Sequence, residues 1–250
     1  MHLLLFLACK HPESSPPTLE DLSRTALKNF NEDSEAEDVN ALLNWLVSNP
    51  TPESKGWAFT TIDAETVAEM PPDPDVDIDT VEAGGAGVLD TVDGEVMGYA
   101  EASVEADQSF ADPTYNRWDR IFLSGEDCFL DGCDMDTDND ISKDGFGVTI
   151  DYKMFKDFRW VSTDLGDTMI ARSWVPNSSF GEDGKNGILC GWTIEIWAPT
   201  DDGVLWFNGS WSRLKTILDD IATDDLMISE LIKGTLKYYE GTEAHVNGTD

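Results

Sequence analysis

Histidine is scarce in this 250-residue sequence, which contains only His2, His11 and His245. The first two lie in the N-terminal segment and the third lies near the C-terminus. A Ser–His–Asp or Cys–His arrangement needs an imidazole that acts as the base, and many zinc sites use histidine ligands. The sequence therefore excludes catalytic sites of these two kinds, and histidine metal centres, from the interior of the chain.

Basic residues are also few, since 16 Lys and Arg stand against 50 Asp and Glu and give a formal net charge of −34. No Lys or Arg occurs between Gly56 and Asn116. Such a charge repels the phosphate backbone of nucleic acids and attracts cations, including Ca²⁺. We therefore expect no nucleic-acid partner. The plainer interpretation of the charge is that it keeps the protein soluble.

The apolar run at residues 3–8 is too short to cross a bilayer as a helix. It is typical of the apolar core of a secretory signal, with the small residue Ala8 before Cys9. Residues 6–9 also resemble the lipobox of bacterial lipoproteins, which implies a lipid on Cys9 and a membrane anchor. Because Lys10 rather than Asp follows, the resemblance implies the outer membrane. An ordinary signal peptide or a buried apolar strand is the alternative, so we expect an extracytoplasmic protein, either an outer membrane lipoprotein or secreted.

Cysteine is rare, and beyond Cys9 the chain has only Cys128, Cys133 and Cys190. In an exported protein two of these three should pair. Cys128 and Cys133 are close enough in sequence to staple a local loop, and Cys190 lies in an apolar pattern typical of a buried thiol. The alternative is a disulfide between Cys190 and either Cys128 or Cys133.

The pattern along the chain divides it into four segments. Residues 1–9 are the signal and lipobox segment, and residues 10–17 are a polar, proline-rich tether. Residues 18–50 predict a helical hairpin, because apolar residues recur at helical spacing behind cap signals at Thr18 and Ser34. Residues 51–250 predict an α+β domain.

Strict alternation of apolar and polar residues marks the segments 148–155, 190–197 and 205–211. This period, with many aromatic and β-branched residues, predicts antiparallel strands. We therefore expect a meander of four or five strands over residues 145–212. A helix is predicted at residues 223–240, with Gly241 as its end.

Two weaker patterns precede the meander. Short strands are predicted around residues 57–62 and 97–104, and the glycine cluster at residues 84–87 predicts a turn. The expected fold class is therefore α+β, with an N-terminal helical hairpin, a curved antiparallel sheet and a long C-terminal helix packed on the sheet. This element order resembles the helix-grip arrangement of START-like domains, which implies an apolar cavity between sheet and helix. A closed barrel of the lipocalin type is the alternative.

The densest acidic motif, residues 134–145, contains the five aspartates Asp134, Asp136, Asp138, Asp140 and Asp144. Their alternation resembles the first half of an EF-hand-type calcium loop, and Asn139 tolerates the positive φ needed at its sixth position. Gly145 stands where that family has a bidentate Glu. A Ca²⁺ site and an acidic surface turn closed by the Cys128–Cys133 bond are both open interpretations.

Four residues are candidates for lining a ligand cavity, namely Arg172, Trp192, Ile194 and Trp206. Arg172 lies amid apolar alternation, where it would anchor a ligand carboxylate or pair with an acid such as Glu195. A glycoside hydrolase with two catalytic carboxylates is a further alternative, although no pair stands out among so many acids.

Residues 122–133, 157–161 and 171–175 are similar to uncharacterised lipoproteins of myxobacterium-like bacteria, a resemblance that implies no activity. We expect no catalytic residues, and no cofactor unless the acidic motif binds Ca²⁺. The sequence predicts an exported, non-enzymatic binding or structural protein of the cell envelope. The main alternative is a carrier of an apolar small molecule, and no protein partner is identified.

Overall fold

The structure is a computed structural model. It describes residues 13–32, 34–62, 83–145, 148–175, 178–182, 184–215 and 224–249. The predicted signal and lipobox segment, including Cys9, lies outside the described residues. Lipidation of Cys9 and the membrane anchor therefore stay predictions.

Four α-helices lie in the described part of the chain: α1 (Pro17–Lys28), α2 (Glu35–Ser48), α3 (Val96–Ser103) and α4 (Asp224–Val246). The first two form the predicted hairpin. Proline at the start of α1 costs no hydrogen bond, because the first amides of a helix have no intrahelical partner. None of the described helices is long and apolar enough to cross a membrane.

The strands form one curved sheet and are β1 (Glu13–Ser14), β2 (Gly56–Ile62), β3 (Ala83–Val92), β4 (Tyr115–Ser124), β5 (Met135–Gly145), β6 (Val148–Thr163), β7 (Gly166–Trp174), β8 (Ser179–Phe180), β9 (Gly187–Thr200) and β10 (Gly203–Lys215). Their order is β1-β2-β3-β10-β9-β7-β6-β5-β4, with β8 paired to β9. Every pair is antiparallel except β1 with β2. The described strands leave the sheet open between β1 and β4, so the alternative of a closed lipocalin-type barrel is wrong.

The meander expected over residues 145–212 is confirmed, because β6, β7, β9 and β10 are successive neighbours in the sheet. Glu13 and Ser14, part of the predicted tether, instead add a short strand beside β2. The segment predicted as a strand at residues 97–104 is mostly helix α3. Its Ala, Met and Glu residues favour a helix, and Tyr99 and Ala100 bury one side of it.

The glycine cluster predicted as a turn lies inside strand β3. A Cβ atom on Gly85 would lie 2.6 Å from Trp211 Cδ1, and one on Gly87 would lie 2.6 Å from Phe59 Cζ. The glycines therefore leave room for the stacked rings of Phe59 and Trp211, whose centroids are 5.2 Å apart. Close approach of neighbouring side chains, rather than a turn, explains this cluster.

The C-terminal helix runs past Gly241, which was predicted as its end, and stops at Val246. A Cβ atom on Gly241 would lie 2.2 Å from the carbonyl oxygen of Ala111. The absence of a side chain lets the helix pack against the 3-10 turn Ser109–Ala111. The glycine thus serves helix packing and does not cap the helix.

Helices cover both faces of the sheet. The first face lies under α1 and α2, since a Cβ atom on Gly209 would lie 3.2 Å from Ile194 Cγ2 and 3.3 Å from Ser23 Cβ of α1. The second face lies under α3 and α4, where Tyr239 stacks on Trp206 with centroids 4.1 Å apart. Each face has its own apolar core. The molecule is therefore α+β, with three layers and the C-terminal helix packed on the sheet.

Candidate ligand cavity

A cavity of about 360 Å³ lies between the second face of the sheet and helix α4. Strands β4 to β7, β9 and β10 contribute to its walls, and α4 covers it. Its apolar lining includes Trp118, Ile150, Met154, Leu214 and Leu231. Ligand cavities in proteins span roughly 300–1,000 Å³ and are mostly apolar. This cavity therefore has the size and lining that suit a small apolar molecule.

An aromatic cluster forms the wall beside β4. The ring centroids of Tyr115 and Trp118 are 4.7 Å apart, and Trp118 stacks on Tyr238 of α4 at 5.9 Å. Burial raises the pKa values of Tyr115, Tyr152 and Tyr238, because it disfavours the phenolate. These phenols are neutral at physiological pH and add no charge to the wall.

One buried ion pair crosses the floor of the cavity. Lys156 Nζ of β6 lies 2.5 Å from Glu195 Oε2 of β9, with side chains 2 % and 7 % exposed. Strand β7 runs between them, and its small residues Ala171 and Ser173 pair with Glu195 and Lys156 respectively. Their short side chains leave room for the lysine to reach across. Burial lowers the pKa of Lys156, and the nearby Glu195 carboxylate opposes that effect.

A second buried cation, Arg120, lies beside this pair. Its Nε donates to Asn139 Oδ1 at 3.0 Å, and it also donates to the carbonyl oxygen of Ser103. Its guanidinium lies 5.2 Å from the ring centroid of Phe158, which Lys156 contacts at 5.1 Å. Burial lowers the pKa of Arg120 to about 10. The two cations thus share the field of one buried carboxylate.

Asn208 and Ser210 of β10 also line the cavity, and they are 6 % and 7 % exposed. Asn208 Nδ2 donates to Glu195 Oε1 at 3.0 Å. Asn208 Oδ1 and Ser210 Oγ have no hydrogen-bond partner in the described part of the chain. A buried polar atom without a partner costs about 1–3 kcal/mol. Trp192 Nε1 and Trp211 Nε1, on two further residues of the cavity wall, also have no partner among the described residues. Sequence patterns did not reveal this set.

The structure separates the four residues predicted to line the cavity. Trp192 lies in its wall, although the residue belongs to the core under α1 and α2. Ile194 belongs to the same core. Trp206 is on the cavity face but packs under Tyr239. Neither Ile194 nor Trp206 is among the lining residues, because Ile194 belongs to the core on the opposite face of the sheet and the ring of Tyr239 covers Trp206.

Arg172 lies on the face opposite to the cavity, so its predicted role as a ligand anchor is wrong. Its Nη2 lies 3.0 Å from Asp157 Oδ2. Its guanidinium lies 5.0 Å from the ring centroid of Phe30, just after α1, and 5.5 Å from that of Trp174. The neighbour expected for Arg172, Glu195, is paired with Lys156 instead.

The acidic motif at residues 134–145 is not a loop, so the predicted EF-hand-type geometry is wrong. Residues Met135–Gly145 form strand β5, and alternate side chains of a strand lie on one face. Ion pairs join Asp134 and Asp136 to Arg159, Asp138 to Lys153, and Asp140 to Arg117, while Asp144 accepts hydrogen bonds from Asn116 and Thr149. No group of three or more His, Cys, Asp or Glu side chains that could hold a metal ion occurs among the described residues.

The disulfide is confirmed between Cys128 and Cys133, and Cys190 is a free, buried thiol in β9. The bond encloses the 3-10 turn Phe129–Asp131, just before β5. Burial raises the pKa of Cys190 to about 11. This thiol is therefore protonated and unreactive at physiological pH.

The sequence matches no protein-family model and no curated protein sequence. Similar solved structures include TTHA0849 from Thermus thermophilus, with TM-score 0.47 and 10 % identity over 66 % of this chain and 97 % of that one. A STAR-related lipid transfer protein from Xanthomonas axonopodis has TM-score 0.43 and 11 % identity over 67 % and 86 %. Human STARD10 has 0.39 and 7 % over 66 % and 65 %.

Lipid-transfer-like folds are thus among the structural neighbours of the chain.

Proposed function

We propose that this protein binds an apolar small molecule in the cavity between the sheet and helix α4. The observation that carries the proposal is the cavity of about 360 Å³ with its apolar and aromatic walls. Burial of an apolar ligand there gains roughly 25 cal/mol for each Å² removed from water. The wall also contains polar side chains, which in ligand sites orient an otherwise apolar molecule.

Charge in the wall is largely compensated, which favours the same conclusion. The buried Lys156 and Glu195 neutralise each other at 2.5 Å. Two further charged residues of the wall are also paired, since Lys143 lies 3.7 Å from Asp112 and Glu230 lies 2.7 Å from Lys233. An apolar ligand therefore leaves these ion pairs in place.

Gly234 of α4 offers a direct test, because it lines the cavity and a Cβ atom there would have no neighbour within 4 Å. We expect Gly234→Phe to fold, since phenylalanine is a better helix residue than glycine. Its ring should occupy space that the ligand needs. Titration with the neutral fluorophore Nile red should show binding to the unchanged protein and at least about tenfold weaker binding to Gly234→Phe.

Lys237→Phe is the matched control, because Lys237 is exposed on the same helix. This variant should bind Nile red as the unchanged protein does. No binding by the unchanged protein would refute the proposal. Equal affinity in Gly234→Phe and Lys237→Phe would also refute it, because the dye would then bind outside the cavity.

We also propose that the protein acts outside the cytoplasm, where a lipid on Cys9 anchors it to a membrane. The Cys128–Cys133 disulfide supports an oxidising compartment, where such bonds persist. A Cys9→Ser variant should move from the membrane fraction to the soluble fraction of cells. Equal membrane association of both forms would contradict the anchor.

A further inference from the structure

The cavity stops at one level of the sheet, and the space beyond that level is filled. On β9 and β10 the cross-strand pair Glu195 and Asn208 lines the cavity. The next pair on the same face, Trp197 and Trp206, does not line it. Both indoles belong to the apolar core under α3 and α4 and are at most 2 % exposed. The cavity therefore has a closed inner end between these two pairs of residues.

Strands β6 and β7 change from cavity to core at the same level. Lys156 and Ser173 are paired and line the cavity. The next pair on that face, Phe158 and Ala171, belongs to the same core and lies outside the lining. The sheet side of the inner end is thus continuous across four strands.

On the helix side, the inner end is formed by Tyr238 of α4. This residue lines the cavity, and its ring centroid lies 5.9 Å from that of Trp118 and 5.3 Å from that of Trp206. The neighbouring Tyr239 does not line the cavity, because it stacks on Trp206 at 4.1 Å. Tyr238 is thus the side chain of α4 that separates the open space from the packed core.

The opposite end of the cavity is its mouth, where the lining residues Asp144 and Glu230 are exposed. Glu230 precedes Tyr238 by eight residues on α4. A helix rises about 1.5 Å per residue, so roughly 12 Å separate the mouth from the inner end. An extended chain advances about 1.2 Å per bond, so roughly ten carbons cover this distance.

The volume of the cavity gives a similar limit. A protein cavity of about 150 Å³ holds one benzene molecule. The volume of about 360 Å³ therefore holds roughly 14 carbon atoms. A two-chain phospholipid has several times as many, whereas a single chain of medium length stays within the limit.

We propose that the ligand has a single apolar chain of about ten to fourteen carbons and that Tyr238 sets this length. The chain enters at the mouth, and its end stops against Tyr238. Carbons beyond that length stay in water at the mouth and add no affinity. This inference rests on the proposed binding function and specifies the size of its ligand.

The test is a homologous series of n-alkyl tetraethylene glycol ethers, from hexyl to octadecyl, each used below its micelle concentration. Each ether competes with Nile red on the full chain. For the unchanged protein we expect the affinity to rise about fourfold with each CH₂ group that is buried. The rise should stop between decyl and tetradecyl, because further carbons no longer leave water.

Tyr238→Leu shortens the side chain that closes the inner end and keeps a good helix residue. The vacated space joins the cavity, so the rise should continue for about three to four further carbons. Tyr239→Leu is the matched control, because it removes an equal ring from a neighbouring residue that does not line the cavity. It should leave the length limit unchanged. Tyr238→Met is a second variant in case Tyr238→Leu shows no cooperative unfolding in urea, and it should move the limit in the same direction.

A rise that continues through octadecyl in the unchanged protein, or that stops before decyl, would overturn the length limit while the binding function stands. The same limit in the unchanged protein and in the folded Tyr238 variant would overturn the assignment of Tyr238. An equal shift in Tyr239→Leu would overturn it as well. Failure of Nile red to bind the unchanged protein would overturn the binding function and this inference together.

Discussion

Replacing Glu195 with Gln is expected to destabilise the fold more than any other isosteric change in the cavity floor. Gln has the shape of Glu but no charge, so packing is preserved and only electrostatics change. Lys156 and Arg120 would then be two buried cations without the carboxylate whose field both feel. Removing one partner of a buried ion pair costs about 3–5 kcal/mol. We expect a loss in that range in the free energy of unfolding.

Lys156→Met should lower the free energy of unfolding by less, about 1.5–3 kcal/mol, which is typical of a lost hydrogen bond to a charged group. The reason is an asymmetry in the site. Without the lysine, Glu195 still accepts a hydrogen bond from Asn208 Nδ2 at 3.0 Å and lies in the field of Arg120. The double variant should lose less than the sum of the single losses, with a coupling of about 1–3 kcal/mol.

The assay is equilibrium unfolding in urea at pH 7, followed by tryptophan fluorescence and circular dichroism. Lys233→Met is the control, because its ion pair with Glu230 is exposed, at 57 % and 46 %, and should contribute only about 0.3–0.5 kcal/mol. Additive effects of the two single variants would refute the pairing. A larger loss in Lys156→Met than in Glu195→Gln would refute the argument that Arg120 shares the carboxylate.

Glu35 and the glycines of α4 give two further predictions. Burial raises the pKa of Glu35 to about 7 from 4.5, so its contribution to stability is full below pH 4.5 and is lost as pH rises through 7. In urea unfolding, Glu35→Gln should match the unchanged protein near pH 4.5 and exceed its stability by about 1–3 kcal/mol at pH 8. An equal difference at the two pH values would contradict the effect of burial. Gly241→Ala should lose about 1–3 kcal/mol because its Cβ would lie 2.2 Å from the Ala111 oxygen, whereas Gly234→Ala should gain about 0.5–1 kcal/mol. A Gly241→Ala variant as stable as Gly234→Ala would contradict this packing argument.

Local periodicity was sufficient to predict the helical hairpin and the strands of the meander. Closeness in sequence was sufficient to predict the short disulfide. The repeats at 3.6 and 2 residues reflect burial of one face of a helix or strand, so they are visible in sequence. Cys128 and Cys133 are five positions apart, and a loop that short closes without help from distant elements.

The same period caused the error at the acidic motif. Aspartates at every second position occur in a calcium loop and equally on the outer face of a strand. What distinguishes the two is the partner strand. Arg159 and Lys153 on β6 face Asp136 and Asp138, and only the pairing of β5 with β6 brings them together.

Sequence was therefore enough for the helical hairpin, the meander, the C-terminal helix and the α+β class, because each depends on residues close together in the chain. It was wrong at residues 84–87, which are strand, and at residues 97–104, which are mostly helix. The cavity depended on tertiary structure. Which side of a strand faces α4 rather than α1 depends on sheet register, and a shift of one residue exchanges the faces. For that reason Ile194 and Arg172, which were predicted to line the cavity, lie on the opposite face of the sheet. Glu195, Asn208 and Ser210, unremarkable as a set in the sequence, meet in one wall because β9 and β10 pair and α4 folds back over them.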